Sequence, residues 1–185
     1  MKQACDSLSD EELMSRIGTG DANAFSILVR RHTTRFYASS FRIVLNKEDA
    51  EDIVQDAFTK LWNGKAVWQA NRGAKFTTWF YRIVINQARD VLAKKSRHHT
   101  AMLDENMPSG EANAEDNAWF QEQGNAVNAA LGSLPERQRT AVMLFYNEEF
   151  SQKEAAEVMG ITPKAVESLI GRAKVTLRER IQAYA

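Results

Sequence analysis

The chain has 185 residues, 44% of them hydrophobic, with 24 basic and 24 acidic side chains and a formal net charge of zero. That length and apolar content suffice for one large domain or two small ones, while the balanced charge argues against an indiscriminate nucleic-acid coat. No apolar run approaches the roughly 18 to 20 residues of a bilayer-spanning helix, and the polar start from Met1 to Asp10 is unlike a secretory leader, so a cytoplasmic protein is expected.

In chain order, Leu8-Ser9 followed by Glu12 and Leu13 combines a capping box with a hydrophobic staple, opening a short helix that Gly18 can end. After Asp21, the positions Phe25, Leu28, Val29, His32, Phe36, Ile43 and Val44 trace a buried stripe along a longer helix reaching about Leu45. His32 reads as a partly buried packing residue, because neither an acid nor a nucleophile accompanies it in sequence. The single cysteine, Cys5, excludes an internal disulfide framework. Together with His32, His98 and His99 it offers no metal-ligand spacing, so neither metal nor cofactor is expected.

A third helix starts near Asn46 and turns Ala50, Ile53, Val54, Ala57, Phe58, Leu61 and Trp62 to one broad apolar face. Its other face shows Glu48, Asp52, Gln55, Asp56 and Thr59, and five acids fall between Glu48 and Asp56 with no base among them. These carboxylates diverge on one helix, whereas hard-cation sites and acid-base pairs need oxygens that converge. Two readings stand: a solvated face, favoured near the helix start by the macrodipole, or a docking surface for a basic partner.

From Arg72 to Arg97 the balance reverses, with seven basic residues against one acid, Asp90. A fourth helix here places Phe76, Phe80, Ile83, Val84, Ala88 and Val91 toward a core. Trp79, Arg82, Asn86 and Arg89 fall on a different face, with Thr78 and Tyr81 beside it. Rings, amides and cations interleaved in this way suit unpaired bases. The competing reading has Trp79 and Tyr81 complete the core. The tail Lys94-Lys95-Ser96-Arg97 either contacts duplex backbone or stays hydrated.

Helical periodicity lapses between His99 and Asn117, where Pro108-Ser109-Gly110 forms a breaker and acids dominate; Asp104 to Glu122 holds six acids and no Lys or Arg. The expected organisation is all-α, with helical domains at 1–98 and 118–185 joined by a flexible acidic linker at 99–117. In the second domain, Ser151-Gln152-Lys153-Glu154 has capping-box spacing and Met159-Gly160-Ile161 closes that helix. Another begins at once with Thr162 as N-cap and Pro163 in its first turn. Val166, Leu169, Ile170, Ala173 and Leu177 make its apolar stripe. Thr162, Lys164, Ala165, Glu167, Ser168, Arg172 and Lys174 are left for a major groove, as in a recognition helix. An ordinary helical hairpin with a solvated outer face is the alternative.

Three stretches together carry a family resemblance: AEDIVQDAFTKLW from Ala50 to Trp62, FTTWFYRIVIN from Phe76 to Asn86, and LPERQR from Leu134 to Arg139. In this order around an acidic linker they resemble the bacterial extracytoplasmic-function sigma factors over nearly the whole chain. The resemblance implies a two-domain RNA polymerase subunit, region two first and region four last. It assigns Glu48, Asp49, Glu51, Asp52, Gln55, Asp56 and Thr59 to the clamp helices of the largest polymerase subunit. Thr78, Trp79, Tyr81, Arg82, Asn86, Arg89, Lys94 and Lys95 go to recognition and opening of the minus-ten element, with Arg82 and Asn86 the preferred contacts. The loop from Asn63 to Lys75 is where such proteins capture a flipped base, a step costing a few kcal/mol. The helix-turn-helix resembles the minus-thirty-five reader that also docks on the flap of the second-largest subunit. The linker would thread near the RNA exit path, and an anti-sigma factor would hold the protein inactive.

The chain departs from that pattern where Glu167 and Leu169 replace the more usual Lys and Arg, and where Gly171 sits inside the helix at a cost of about 1 kcal/mol relative to Ala. Glu167 can accept from a cytosine amino group or repel phosphate and set register. Catalysis would belong to the polymerase, and no small-molecule substrate is implied. Two rival readings remain: a helix-turn-helix regulator acting without core polymerase, and a small helical enzyme using the Glu48 to Asp56 carboxylates.

Overall fold

The computed structural model describes residues 7–68, 75–103 and 130–182, and side chains within these except at 98–103 and 181–182. Among the described residues every regular element is helical. Cys5, most of the expected linker, residues 69–74 of the base-capturing loop and the His98 and His99 side chains lie outside what is described.

Local signals set the helix boundaries. Helix α1 (Asp10–Ile17) opens on a complete capping box, Ser9 accepting from the Glu12 amide while the Glu12 carboxylate accepts from the Ser9 amide. Asp21 caps α2 (Ala22–Val44) by accepting from the Asn23 and Ala24 amides. Helix α2 ends at Leu45 in the left-handed region at φ 56°, a cost accepted where α3 (Lys47–Trp62) must turn back at once under its own cap, Asn46. Helix α4 spans Phe76–Leu103, running past the boundary expected at residue 98. Ala101, Met102 and Leu103 are good helix formers, and the first breaker, Pro108, comes later.

An aromatic knot holds α2, α3 and α4 together. Phe80 lies 4.6 Å from Phe36 and 4.8 Å from Phe58 between ring centroids, and Phe76 joins at 5.3 Å. His32 is buried against Phe36 and Phe76 and bonds to Asp10 Oδ2 at 2.8 Å, so the fold supplies the acid that the local sequence lacks. Burial alone would raise the Asp10 carboxyl, but hydrogen bonds and charge from His32 and Arg31 outweigh it and hold the group below its ordinary range. Helix α1 is thereby pinned to α2.

The second domain contains α5 (Glu136–Val142), a π-helical turn at Met143–Asn147, α6 (Gln152–Met159) and α7 (Pro163–Gln182). Ser151 and Glu154 form the capping box that opens α6, and Gly160 closes it at φ 65°. Thr162 Oγ1 accepts from the Ala165 amide at 3.2 Å, which caps α7. The π turn had no signature in the spacing; it turns Tyr146 outward, half exposed, under the ammonium of Lys174. The two domains are not separate bodies here. Helix α6 packs on α4 and α5 on α2, so one apolar cluster runs from Leu13 to Ile170 through both.

Candidate functional site

On α3 the spacing places Glu48, Glu51, Asp52, Gln55, Asp56 and Thr59 in solvent, as the sequence reading expects. Asp49 is the exception: half-buried, it pairs with Lys95 of α4. That pair joins two residues assigned to different interfaces, so both serve at least to brace α3 against α4. Beside the acids lies a feature the sequence reading missed, an open groove of about 610 Å³ between α2 and α3. Phe25, Val29, Tyr37, Val54 and Phe58 line it, and Glu51, Gln55 and Thr59 stand with them. The signal was the row Phe25, Val29, Thr33, Tyr37 at four-residue steps, which marks a second apolar edge on α2. An apolar trough flanked by carboxylates takes an apolar anchor flanked by bases.

On α4, Arg82, Asn86 and Arg89 are exposed along one side, and Lys94 is exposed further along the helix. Trp79 is half-buried, packed 6.0 Å from Phe76 and 6.1 Å from Phe80. Thr78 and Tyr81 do not share the open face: Thr78 is 4% exposed and Tyr81 is fully buried. Tyr81 follows Phe80 by one helical step, which rotates it over α2, 4.8 Å from the Phe36 ring, with its hydroxyl 3.2 Å from Ser39 Oγ. Burial, reinforced by the nearby Glu148 charge, pushes its phenol far above the ordinary range. It is therefore a neutral, packed hydroxyl in this arrangement.

On α7, Val166, Leu169, Ile170 and Ala173 are buried, while Thr162, Lys164, Glu167, Ser168, Arg172 and Lys174 are exposed and Ala165 is half-buried. Ser168 Oγ donates to the Lys164 carbonyl at 2.9 Å and Arg172 Nε to the Ser168 carbonyl at 3.3 Å, so both lie along the helix. Gly171 occupies the same face with open space where a Cβ would stand. Val175, one turn on and 55% exposed, extends this face and escaped the sequence reading because it was sought only among polar residues. In the LPERQR stretch, Arg139 is buried and serves structure: it donates to the Gly132 and Leu134 carbonyls and, at 2.6 Å, to the Ile43 carbonyl of α2. Burial draws its pKa down.

The surface is thus an acid-flanked groove, a cationic helix face and a helix-turn-helix. The family described as Sigma-70 region 2 matches residues 28–98, and the one described as Sigma-70, region 4 matches residues 124–177. The chain is 31% identical over 169 residues to the ECF RNA polymerase sigma factor SigM of Mycobacterium tuberculosis, covering 91% of this chain and 83% of that one. The chain belongs to the ECF sigma factors. It is also 31% identical to the ECF RNA polymerase sigma-E factor of Escherichia coli K12 over 95% of each chain. A solved structure of CnrH in complex with the cytosolic domain of CnrY matches with a TM-score of 0.69 at 27% identity, covering 95% of this chain and 99% of that one.

In this sigma factor, no three His, Cys, Asp or Glu side chains among the described residues are grouped to hold a metal ion. The acids of α3 spread over an outward face. Among the described residues no helix is long and apolar enough to cross a membrane.

Proposed function

We propose that this sigma factor joins core RNA polymerase through the groove and acids of α2 and α3. The observation that carries this reading is the placement of Glu51, Gln55 and Thr59 on the lining of an apolar groove, with Asp52 and Asp56 exposed on the same helix. Such a surface suits a partner that offers basic and apolar side chains together, the role we assign to the clamp helices of the largest subunit. Arg82, Asn86 and Arg89 then face the minus-ten element and assist its opening, and Lys164, Glu167, Ser168 and Arg172 face the minus-thirty-five element in the major groove. Half-exposed Tyr146 supplies an apolar contact for a protein partner such as the flap. We place the domain limits near 1–98 and 118–185, around the family matches at 28–98 and 124–177, with the end of α4 extending to Leu103. The bond-forming chemistry is the polymerase's own.

An anti-sigma factor competing for the α2–α3 surface would hold the protein inactive. That CnrH was solved in complex with the cytosolic domain of CnrY supports a protein partner on this scaffold. A regulator acting without polymerase would have no use for the acid-flanked groove. With core polymerase present, the double change Arg82→Ala and Asn86→Ala is expected to leave closed-complex binding nearly intact. It should slow strand opening, read by permanganate reactivity of unpaired thymines, by roughly tenfold to a hundredfold. Equal loss of binding and opening would contradict the assignment of this face.

A further inference from the structure

Helix α7 carries one acid in the first three turns of its exposed face. Between Pro163 and Lys174 the exposed charged side chains are Lys164, Arg172 and Lys174, all basic, and Glu167. Lys164, Glu167, Ser168 and Gly171 fall at i, i+3, i+4 and i+7, the spacing at which a helix lying in the major groove meets base edges. A carboxylate there is repelled by every phosphate it approaches, so it weakens binding to duplex at large unless a base edge compensates it.

The helix keeps that carboxylate unpaired. Among the described residues no side chain forms an ion pair or hydrogen bond with Glu167. Ser168 and Arg172 are turned onto backbone carbonyls, Ser168 Oγ donating to that of Lys164 at 2.9 Å and Arg172 Nε to that of Ser168 at 3.3 Å. Of the two positions that lie one turn beyond Glu167, Ile170 is buried and Gly171 has open space where a Cβ would stand. A Lys or Arg at position 171 would be the favoured i, i+4 partner of Glu167. Glycine withholds it, at a cost in helix stability. The bare position also lets the α7 backbone lie close to the base edges beside the carboxylate.

An ionised carboxylate only accepts, and the major groove offers it two kinds of donor, the N4 amino group of cytosine and the N6 amino group of adenine. The adenine amino group stands between two acceptors, N7 of its own ring and O4 of the paired thymine, and both repel a second carboxylate oxygen. The cytosine amino group has acceptors on one side only, O6 and N7 of the paired guanine. We propose that Glu167 selects a cytosine in the minus-thirty-five element by accepting from its N4 amino group, and that Gly171 serves this selection by leaving the carboxylate unpaired and close to the base edge. The inference rests on the assignment of α7 to that element. The acid that lowers affinity for other duplex then adds discrimination on the right one.

The test uses the full chain with core polymerase on double-stranded promoter fragments randomised through the minus-thirty-five element, each carrying a barcode in its transcript. Sequencing the transcripts gives the base preference at every position in one competition. The wild-type holoenzyme should favour cytosine at one position by about tenfold, the scale of one good base contact. Glu167→Gln, which replaces an acceptor oxygen by a donor nitrogen, should move the preference at that position to adenine, because the amide pairs with adenine N6 and N7. Glu167→Ala should leave that position without a preference, and the other upstream positions should keep theirs. Gly171→Lys should weaken the cytosine preference and strengthen binding to unrelated duplex, read by fluorescence anisotropy. Both positions are exposed on the helix, and a thermal melt checks that each variant is folded. If the variants change transcript yield alike on all fragments and leave the base profile as it was, Glu167 only repels phosphate and the proposal is overturned. A position that responds to Glu167→Ala but favours a base other than cytosine would overturn it too. A wild-type profile with no preference at any upstream position would instead overturn the assignment of α7 to the element, and this inference with it.

Discussion

Reversing Asp52 and Asp56 to Lys together should cut affinity for core polymerase by roughly 30-fold while leaving the fold intact. The acidic stretch of α3 carries Glu48, Asp49, Glu51, Asp52 and Asp56, so the double change takes it from five negative charges to three negative and two positive, or from −5 to −1. Asp49 is already occupied by Lys95, which leaves Asp52 and Asp56 as half of the four acids open to a partner. An exposed ion pair contributes about 0.2 to 1 kcal/mol. Replacing attraction by repulsion roughly doubles the loss, giving about 1 kcal/mol per position and about 2 kcal/mol in all, or near 30-fold in Kd. Stability should change by less than about 0.5 kcal/mol because both side chains are exposed, the one new cost being a like charge four residues from Lys60. Titration of labelled protein with core polymerase at low and high salt measures the effect, with a thermal melt alongside. The penalty should shrink as salt rises, since the Debye length falls from about 30 Å at 0.01 M to about 10 Å at 0.1 M. Unchanged affinity in a variant that melts like the wild type would refute the assignment of this face.

Gly171→Ala should stabilise α7 by about 1 kcal/mol, because the position is exposed, helical and has open space where the methyl would stand; a melting temperature that does not rise would contradict this. Asp10→Asn should cost roughly 1 to 2 kcal/mol at neutral pH. The native Asp10 pKa is held below its ordinary 3.8, so its contribution is present above that value and is lost as pH falls through the lowered native pKa. The variant should therefore show a flatter acid limb in stability against pH. An acid limb parallel to that of the wild type would show that Asp10 is not the group involved.

What the sequence shows plainly are features whose cause is local. The capping boxes at Ser9 and Ser151, the helix starts after Asp21 and near Asn46, and the close of α6 at Gly160 each depend on a few adjacent residues and are where spacing puts them. The exposed face of α7 follows from helical periodicity alone. What spacing does not show is anything fixed by a partner far along the chain. Tyr81 looks like a member of the DNA face until α2 and Glu148 close over it. His32 has no acid nearby in sequence, and Asp10 reaches it across 22 positions. Asp49 and Lys95 read as members of two interfaces and turn out to bond each other. The same limit hid the contact between the domains: no local rule ties Arg35 to Glu148, 113 residues away.

Run-off transcription asks outright whether this chain directs polymerase to promoters. Purified protein and core polymerase would be given a fragment library from the chromosome that encodes the chain. Discrete transcripts that require both proteins, start at defined sites, and disappear when either promoter element upstream of the start is scrambled are the predicted result. Tight binding to duplex fragments with no defined start in the presence of core polymerase would contradict it.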